Sequence, residues 1–260
     1  MNILGKHFLE RLLLAVTTVL TVAGFWDIYF GVNSNPAPQH HLHLATNLSW
    51  LFLLLYQVSL IGKGSYTTHR NVGLSILFFG PLLVATAALL AVHSAQKALV
   101  SGQGDFLIVQ NVAVVPELGF LILLAFILKK RRKLHGYMLL STAILFLGIA
   151  LFFTLPKFVP FETAATIERY VLTAVGLLFF IKDFRNAWPM LMASFIFPFN
   201  ELIRSFLDKR DLIDPLIEFV GSMNKSLAFV GVFLVLSSLL TLIVIGIPAM
   251  QSRLAIRQRA

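Results

Sequence analysis

The stretch "HHLHLATNLSWLFLLLYQVSLIGKGSYTTHRNVG", residues 40–73, opens on His40, His41 and His43 and closes on His69 and Arg70. A neutral imidazole ligates zinc, copper and iron, and it is a common axial ligand of haem. Two chemistries are therefore open. His41, His43 and a later histidine, His93, join the carboxylates Asp27 and Glu117 as nitrogen and oxygen donors suited to one divalent metal. With an open coordination position such an ion would activate water, as in a zinc-dependent hydrolase. His69 and His135 are the candidates for axial ligation of a single haem b, with Trp50 and Gln57 beside it and Arg70 pairing a propionate. The plainer alternative for both groups is a set of polar helix ends.

The elements that must position these residues are read from composition. Of 260 residues, 58% are hydrophobic and 13% charged, against about 25% charged in an ordinary soluble domain. Apolar runs long enough to cross about 30 Å of hydrocarbon recur along the chain, at roughly 12–32, 42–61, 72–95, 106–128, 136–156, 164–181, 187–206 and 227–249. They lack the two-residue alternation of barrel strands, so the expectation is all-α: a polytopic transmembrane bundle of about eight helices forming one domain, residues 1–260. The run at 187–206 is interrupted by Pro189, Pro198, Asn200, Glu201 and Arg204. In the loop before the last run, Asp214 ahead of Pro215 reads as the N-cap of a short interfacial helix.

The net charge of +9 follows the membrane, not nucleic acid. Lys6, Arg11, Lys63, Arg70, the run "KKRRK" at 129–133, Lys182, Arg185, Arg253, Arg257 and Arg259 fall on one side; Lys97, Lys157, Arg204, Lys209, Arg210 and Lys225 fall on the other. The positive-inside rule then puts both termini in the cytoplasm, with the basic run as an anchor against anionic lipid. The first run lacks a small-residue cleavage site and is expected to be retained as a helix. There is no cysteine, which excludes disulfides, thiolate metal sites and thioether-linked haem. Phosphate-binding loops, serine elbows and HExxH are also missing.

Within the second run, His43, Asn47, Trp50 and Gln57 are spaced to line one helical stripe about 21 Å long. In hydrocarbon such a stripe faces protein, either as helix-packing contacts or as the wall of a pore or ligand cavity. Asp27, Gln110, Asn111, Glu117, Glu168 and Arg169 concentrate in the outer half. Glu117 is about 17 Å deep at about 1.5 Å per residue, and an ionisable group there needs a partner or a function. Arg169 is the expected ion-pair partner of Glu117, and a proton or cation relay is the functional alternative.

Residues 41–73 resemble a group of bacterial polytopic membrane proteins of uncharacterised activity, whose shared pattern is HxH, W, Q and HRxxG. The matching positions are His41, His43, Trp50, Gln57, His69, Arg70 and Gly73. A later R…HxRLMLL stretch of that group is matched at His135, Met138 and Leu139, with Gly136 and Tyr137 replacing the usual basic residue beside the histidine. The resemblance implies a multi-pass protein of the bacterial inner membrane. Analogy at the level of fold with histidine-rich b-type cytochromes adds haem. The readings that follow are a haem- or redox-associated protein, a transporter or channel using Glu117, and a noncatalytic subunit or assembly factor with a membrane-protein partner.

Overall fold

A computed structural model describes residues 7–32, 34–102 and 104–246. Among these residues ten α-helices follow one another: α1 (Phe8–Phe30), α2 (Pro38–Gly62), α3 (Tyr66–Gly73), α4 (Ile76–Ser101), α5 (Ile108–Ile127), α6 (Arg132–Thr154), α7 (Phe161–Lys182), α8 (Trp188–Asp208), α9 (Ile213–Gly221) and α10 (Lys225–Thr241). A π turn, Leu242–Gly246, continues α10, and Lys129 Nζ donates to its carbonyls at Ile243 (3.4 Å) and Val244 (3.3 Å). Among the described residues there is no strand, and eight helices are long and apolar enough to cross a membrane. The protein is an all-α, multi-pass helical bundle. Lys6, Arg253, Arg257, Arg259 and the end of the last expected span, 247–249, lie outside the described residues.

Alternation of the eight long helices defines two faces. The basic face carries the start of α1, the segment 63–75, the α5–α6 turn with its lysine and arginine run, and the α7–α8 turn; the far face carries the other loops. Asp183 on the basic face is pushed up by burial, yet hydrogen bonds from Asn186 and Lys133, with the Lys133 charge 3.1 Å away, hold its carboxyl below the ordinary range.

The centre belongs to α4 and α6. α6 packs against α1, α5, α7 and α8, and α4 packs against α2, α5, α9 and α10. Both are apolar around most of their circumference, as a helix with neighbours on every side must be. Association between helices in lipid depends on close packing, because hydrocarbon tails are as apolar as leucine. Alanines at 85, 87, 88, 91, 95 and 98 give α4 that smoothness, and Gly148 lets α6 approach Phe197 of α8. α10 has the opposite character. It leans mainly on α4 and leaves most of its surface to lipid.

The element expected to begin the third span is two elements. Residues 66–73 form the separate helix α3, divided from α2 by Gly64 at φ 72° and from α4 by a turn at 74–75. None of its residues is buried, which suits its polar sequence and keeps it out of the bundle. The interfacial helix is present as α9, but Leu212 is its N-cap and Asp214 lies within its first turn.

Candidate functional site

The stripe on α2 faces protein, as its cost in lipid requires. His43, Asn47, Trp50 and Gln57 are all buried. Trp50 donates from Nε1 to Thr142 Oγ1 of α6 (2.9 Å) and belongs to the bundle core. His43 Nδ1 meets Thr86 Oγ1 of α4 at 3.2 Å, and Thr46 joins the same hydroxyl at 2.9 Å. Gln57 turns to α3: its amide oxygen accepts from Gly73 N (2.9 Å), and its NH2 donates to the His69 carbonyl (3.1 Å) and faces His69 Nδ1. This clasp holds α3 to the bundle. Burial lowers the His69 ring's pKa below its ordinary value, with the Gln57 bond working in the other direction.

His135, in the first turns of α6, directs Nδ1 to the Ala125 carbonyl at 2.7 Å and sets its ring against the edge of Phe126. A carbonyl accepts, so Nδ1 carries the proton and Nε2 is the free nitrogen. His69 and His135 are neighbours on the basic face, close enough to interact electrostatically. Trp50 is committed to the core and Arg70 is exposed.

The five expected metal ligands do not converge. Asp27 pairs with Lys157 (3.0 Å), His41 packs its ring on Tyr29, His43 is held by Thr86, His93 is drawn toward Gln39 and Lys225, and Glu117 accepts from Asn200 (2.9 Å). Among the described residues no three histidine or carboxylate side chains are arranged to hold a metal ion. The Glu117–Arg169 pair is also corrected. Arg169 is ion-paired with Glu201 of α8, because α8 packs against both α5 and α7 and places its own carboxylate beside the arginine. Asn200 Nδ2 bridges Glu117 and Gln110 Oε1 (3.0 Å), making an α5–α8 network separate from the α2 stripe. Glu168, the neighbour of Arg169, is the buried member of that dipeptide.

What assembles at the far end of the stripe is a cavity. Its volume is about 200 Å³, and five helices wall it at helical spacing: Thr21, Gly24, Phe25 and Ile28 of α1; His40, His43 and Asn47 of α2; Ala87, Leu90, His93, Ser94 and Lys97 of α4; Asn111, Val114 and Leu118 of α5 with its N-cap Leu107; Phe146, Ile149, Ala150 and Phe153 of α6. Exposed Lys97 marks its rim. Residues three and four apart share a helix face, so each helix turns one strip toward the space.

Hydrogen bonds assign two of its histidine tautomers. His40 Nδ1 accepts from the Ala37 N–H (3.1 Å), which also closes the first turn of α2. His93 Nδ1 receives Gln39 Nε2 (2.9 Å) and Lys225 Nζ (3.3 Å). Both rings therefore carry the proton on Nε2. They meet edge to face, centroids 5.4 Å apart.

Two wall residues are left without partners. Asn47 Oδ1 and Thr21 Oγ1 are buried and make no hydrogen bond among the described residues. Such an atom costs about 1–3 kcal/mol, and most buried polar atoms avoid that cost.

Comparison of the chain with protein-family models, with curated proteins and with solved structures returns no match.

The sequence drew attention to His43, Asn47 and His93 for other reasons, and it missed Thr21, Lys97 and the pairing of His40 with His93. Only the position of Lys97 one helical turn after His93 could have pointed to a shared polar face.

Proposed function

We propose that the protein binds a small solute in the five-helix cavity at its far face, as the loading site of a transporter-type membrane protein. The observation that carries this reading is the cavity itself, where His40, His43, Asn47, His93, Asn111 and Lys97 of three helices join one otherwise apolar wall. Convergent polar groups in an otherwise apolar concavity are the usual form of a small-ligand site, and binding between helices of a bundle is a usual place for one. At about 200 Å³ the space is below the roughly 300 Å³ where sites for drug-sized ligands begin, so the solute is small. Glu117 has no part in this site, since it belongs to the α5–α8 network.

The positive-inside rule supports the basic face as cytoplasmic. The likeness of residues 41–73 to bacterial membrane proteins supports the bacterial inner membrane as the location.

The cysteine-free sequence permits a direct test. Asn47→Cys and Asn111→Cys are expected to react with a membrane-impermeant maleimide applied from the periplasmic side, while Thr142→Cys, fully buried under Trp50, stays unlabelled. If the cavity positions react no faster than position 142 from either side, the cavity is closed to solutes and the reading fails.

A second reading, haem b between His69 and His135, is supported by the His135 ring. Its Nδ1–H on the Ala125 carbonyl is the outer-shell contact that orients a ligating histidine. Against it, the Gln57 amide faces the His69 nitrogen that would otherwise take that role. Protein purified from haem-replete cells is expected to show a Soret band that His135→Ala removes; a colourless preparation ends this reading.

A further inference from the structure

We infer that the occupant of the far-face cavity is a small organic anion with a short apolar body, of the class of straight-chain monocarboxylates. The inference rests on the solute-binding reading above and adds the chemistry of the solute.

The polar wall carries several donors beside the amide oxygens of its two asparagines. His40 and His93 each present an Nε2–H, because Ala37, Gln39 and Lys225 occupy their Nδ1 atoms. Asn47 and Asn111 carry amide N–H groups, Thr21 a hydroxyl and Lys97 an ammonium. None of the described residues lining the cavity is acidic. Asp105, behind Ser94 of the wall, is engaged by Ser94 Oγ (2.7 Å) and by the Leu107 N–H (2.8 Å).

Charge points the same way. Lys97 stands at the rim, and Lys225 reaches His93 from behind. A cationic solute would meet two ammonium groups and no lining carboxylate. A neutral sugar would leave those two ammonium groups without a counter-charge. A carboxylate head accepts only, and it can take several of these donors at once through charge-assisted hydrogen bonds, which are about twice as strong as neutral ones.

The rest of the wall fixes the body of the ligand. Phe25, Ile28, Phe146 and Phe153 on α1 and α6, with Val114 and Leu118 on α5, form the apolar side. A dicarboxylate or phosphate ester would bring a second charge against these side chains without a partner. A short aliphatic chain fits them.

The test uses the full chain in detergent, with binding followed as thermal stabilisation at constant ionic strength. Butanoate and hexanoate are the probes; acetate, butan-1-ol and butylammonium are the comparisons. Hexanoate or butanoate is expected to stabilise the protein more than acetate, and butylammonium not at all. Lys97→Gln and His93→Gln are expected to weaken the carboxylate roughly tenfold each, the size of one charge-assisted contact. Both variants should weaken the response to butan-1-ol less than the response to the carboxylate. Val114→Phe, on the half-buried α5 wall, should remove the response to every probe.

Equal stabilisation by butan-1-ol or butylammonium would overturn the anion assignment while leaving the cavity a binding site. So would carboxylate binding indifferent to both His93→Gln and Lys97→Gln. No response to any probe, with positions 47 and 111 open to maleimide, overturns the monocarboxylate class alone. The same silence with those positions closed removes the solute-binding reading as well.

Discussion

Leucine at position 176 is expected to part α7 from α8 and to cost more than about 3 kcal/mol, the upper range for an overpacked core. A Cβ built on Gly176 would lie 2.9 Å from Ser194 Cβ and 3.1 Å from Leu191 Cα, and it would collide with Ser194 Oγ. Rotating one serine does not relieve this, since a backbone carbon of α8 is among the atoms met. Alanine should already lower the unfolding temperature in detergent. Gly231→Ala is the control. That glycine lies on α10, where a Cβ meets nothing within 4 Å, so alanine there should be neutral or gain up to about 1 kcal/mol from helix propensity. Equal effects at 176 and 231 would show that α7 and α8 are not in this close contact.

The second large effect is expected at the basic face, where Lys182 at the end of α7 reaches Glu10 of α1. Glu10 is buried, and Lys182 Nζ lies 2.7 Å from its Oε1 while Oε2 has no hydrogen-bond partner among the described residues. Removing one member of a buried pair leaves the other charge uncompensated, at about 3–5 kcal/mol when both are fully enclosed. Lys182 is part-exposed, so Lys182→Met should cost less, about 2 kcal/mol. Adding Glu10→Gln to that variant removes the orphaned charge and should restore most of the loss. A double variant no better than Lys182→Met alone would assign the effect to the lost contact of the ammonium over the Phe179 ring instead of to an uncompensated Glu10.

The sequence makes the eight long helices legible because hydrophobic length is a one-dimensional property, and most of their ends fall within about four residues of the expected ones, although α4 runs on to Ser101 and α10 gives way to the π turn after Thr241. The inward stripe on α2 is legible for a related reason: four costly residues at helical spacing define a face without reference to any neighbour. What it does not disclose is which helix that face meets. Counting residues gives depth, and depth alone made Glu117 a reasonable partner for Arg169. The choice of Glu201 depends on α8 standing between α5 and α7. The separation of α3 escaped for a local reason, since "THRNVG" runs into the apolar segment behind it and the break rests on Gly64 and a turn. The cavity was the least visible feature. Each of its five walls is an unremarkable strip of one helix, and only their assembly encloses a space.

His93 and Gln96 stand on adjacent turns of α4 and both grip the α9–α10 junction. Gln96 Nε2 donates to the carbonyls of Gly221 (3.1 Å) and Met223 (3.0 Å), and Lys225 reaches His93. Gly221 itself packs so closely on Leu99 that a Cβ there would collide with its side chain. The far-face junction is thereby spliced to the cavity wall, and it works as an external handle. An antibody fragment that gripped residues 221–225 would pull on an imidazole of the cavity wall without entering the bundle, so this junction is a lever that reaches the cavity from the far face.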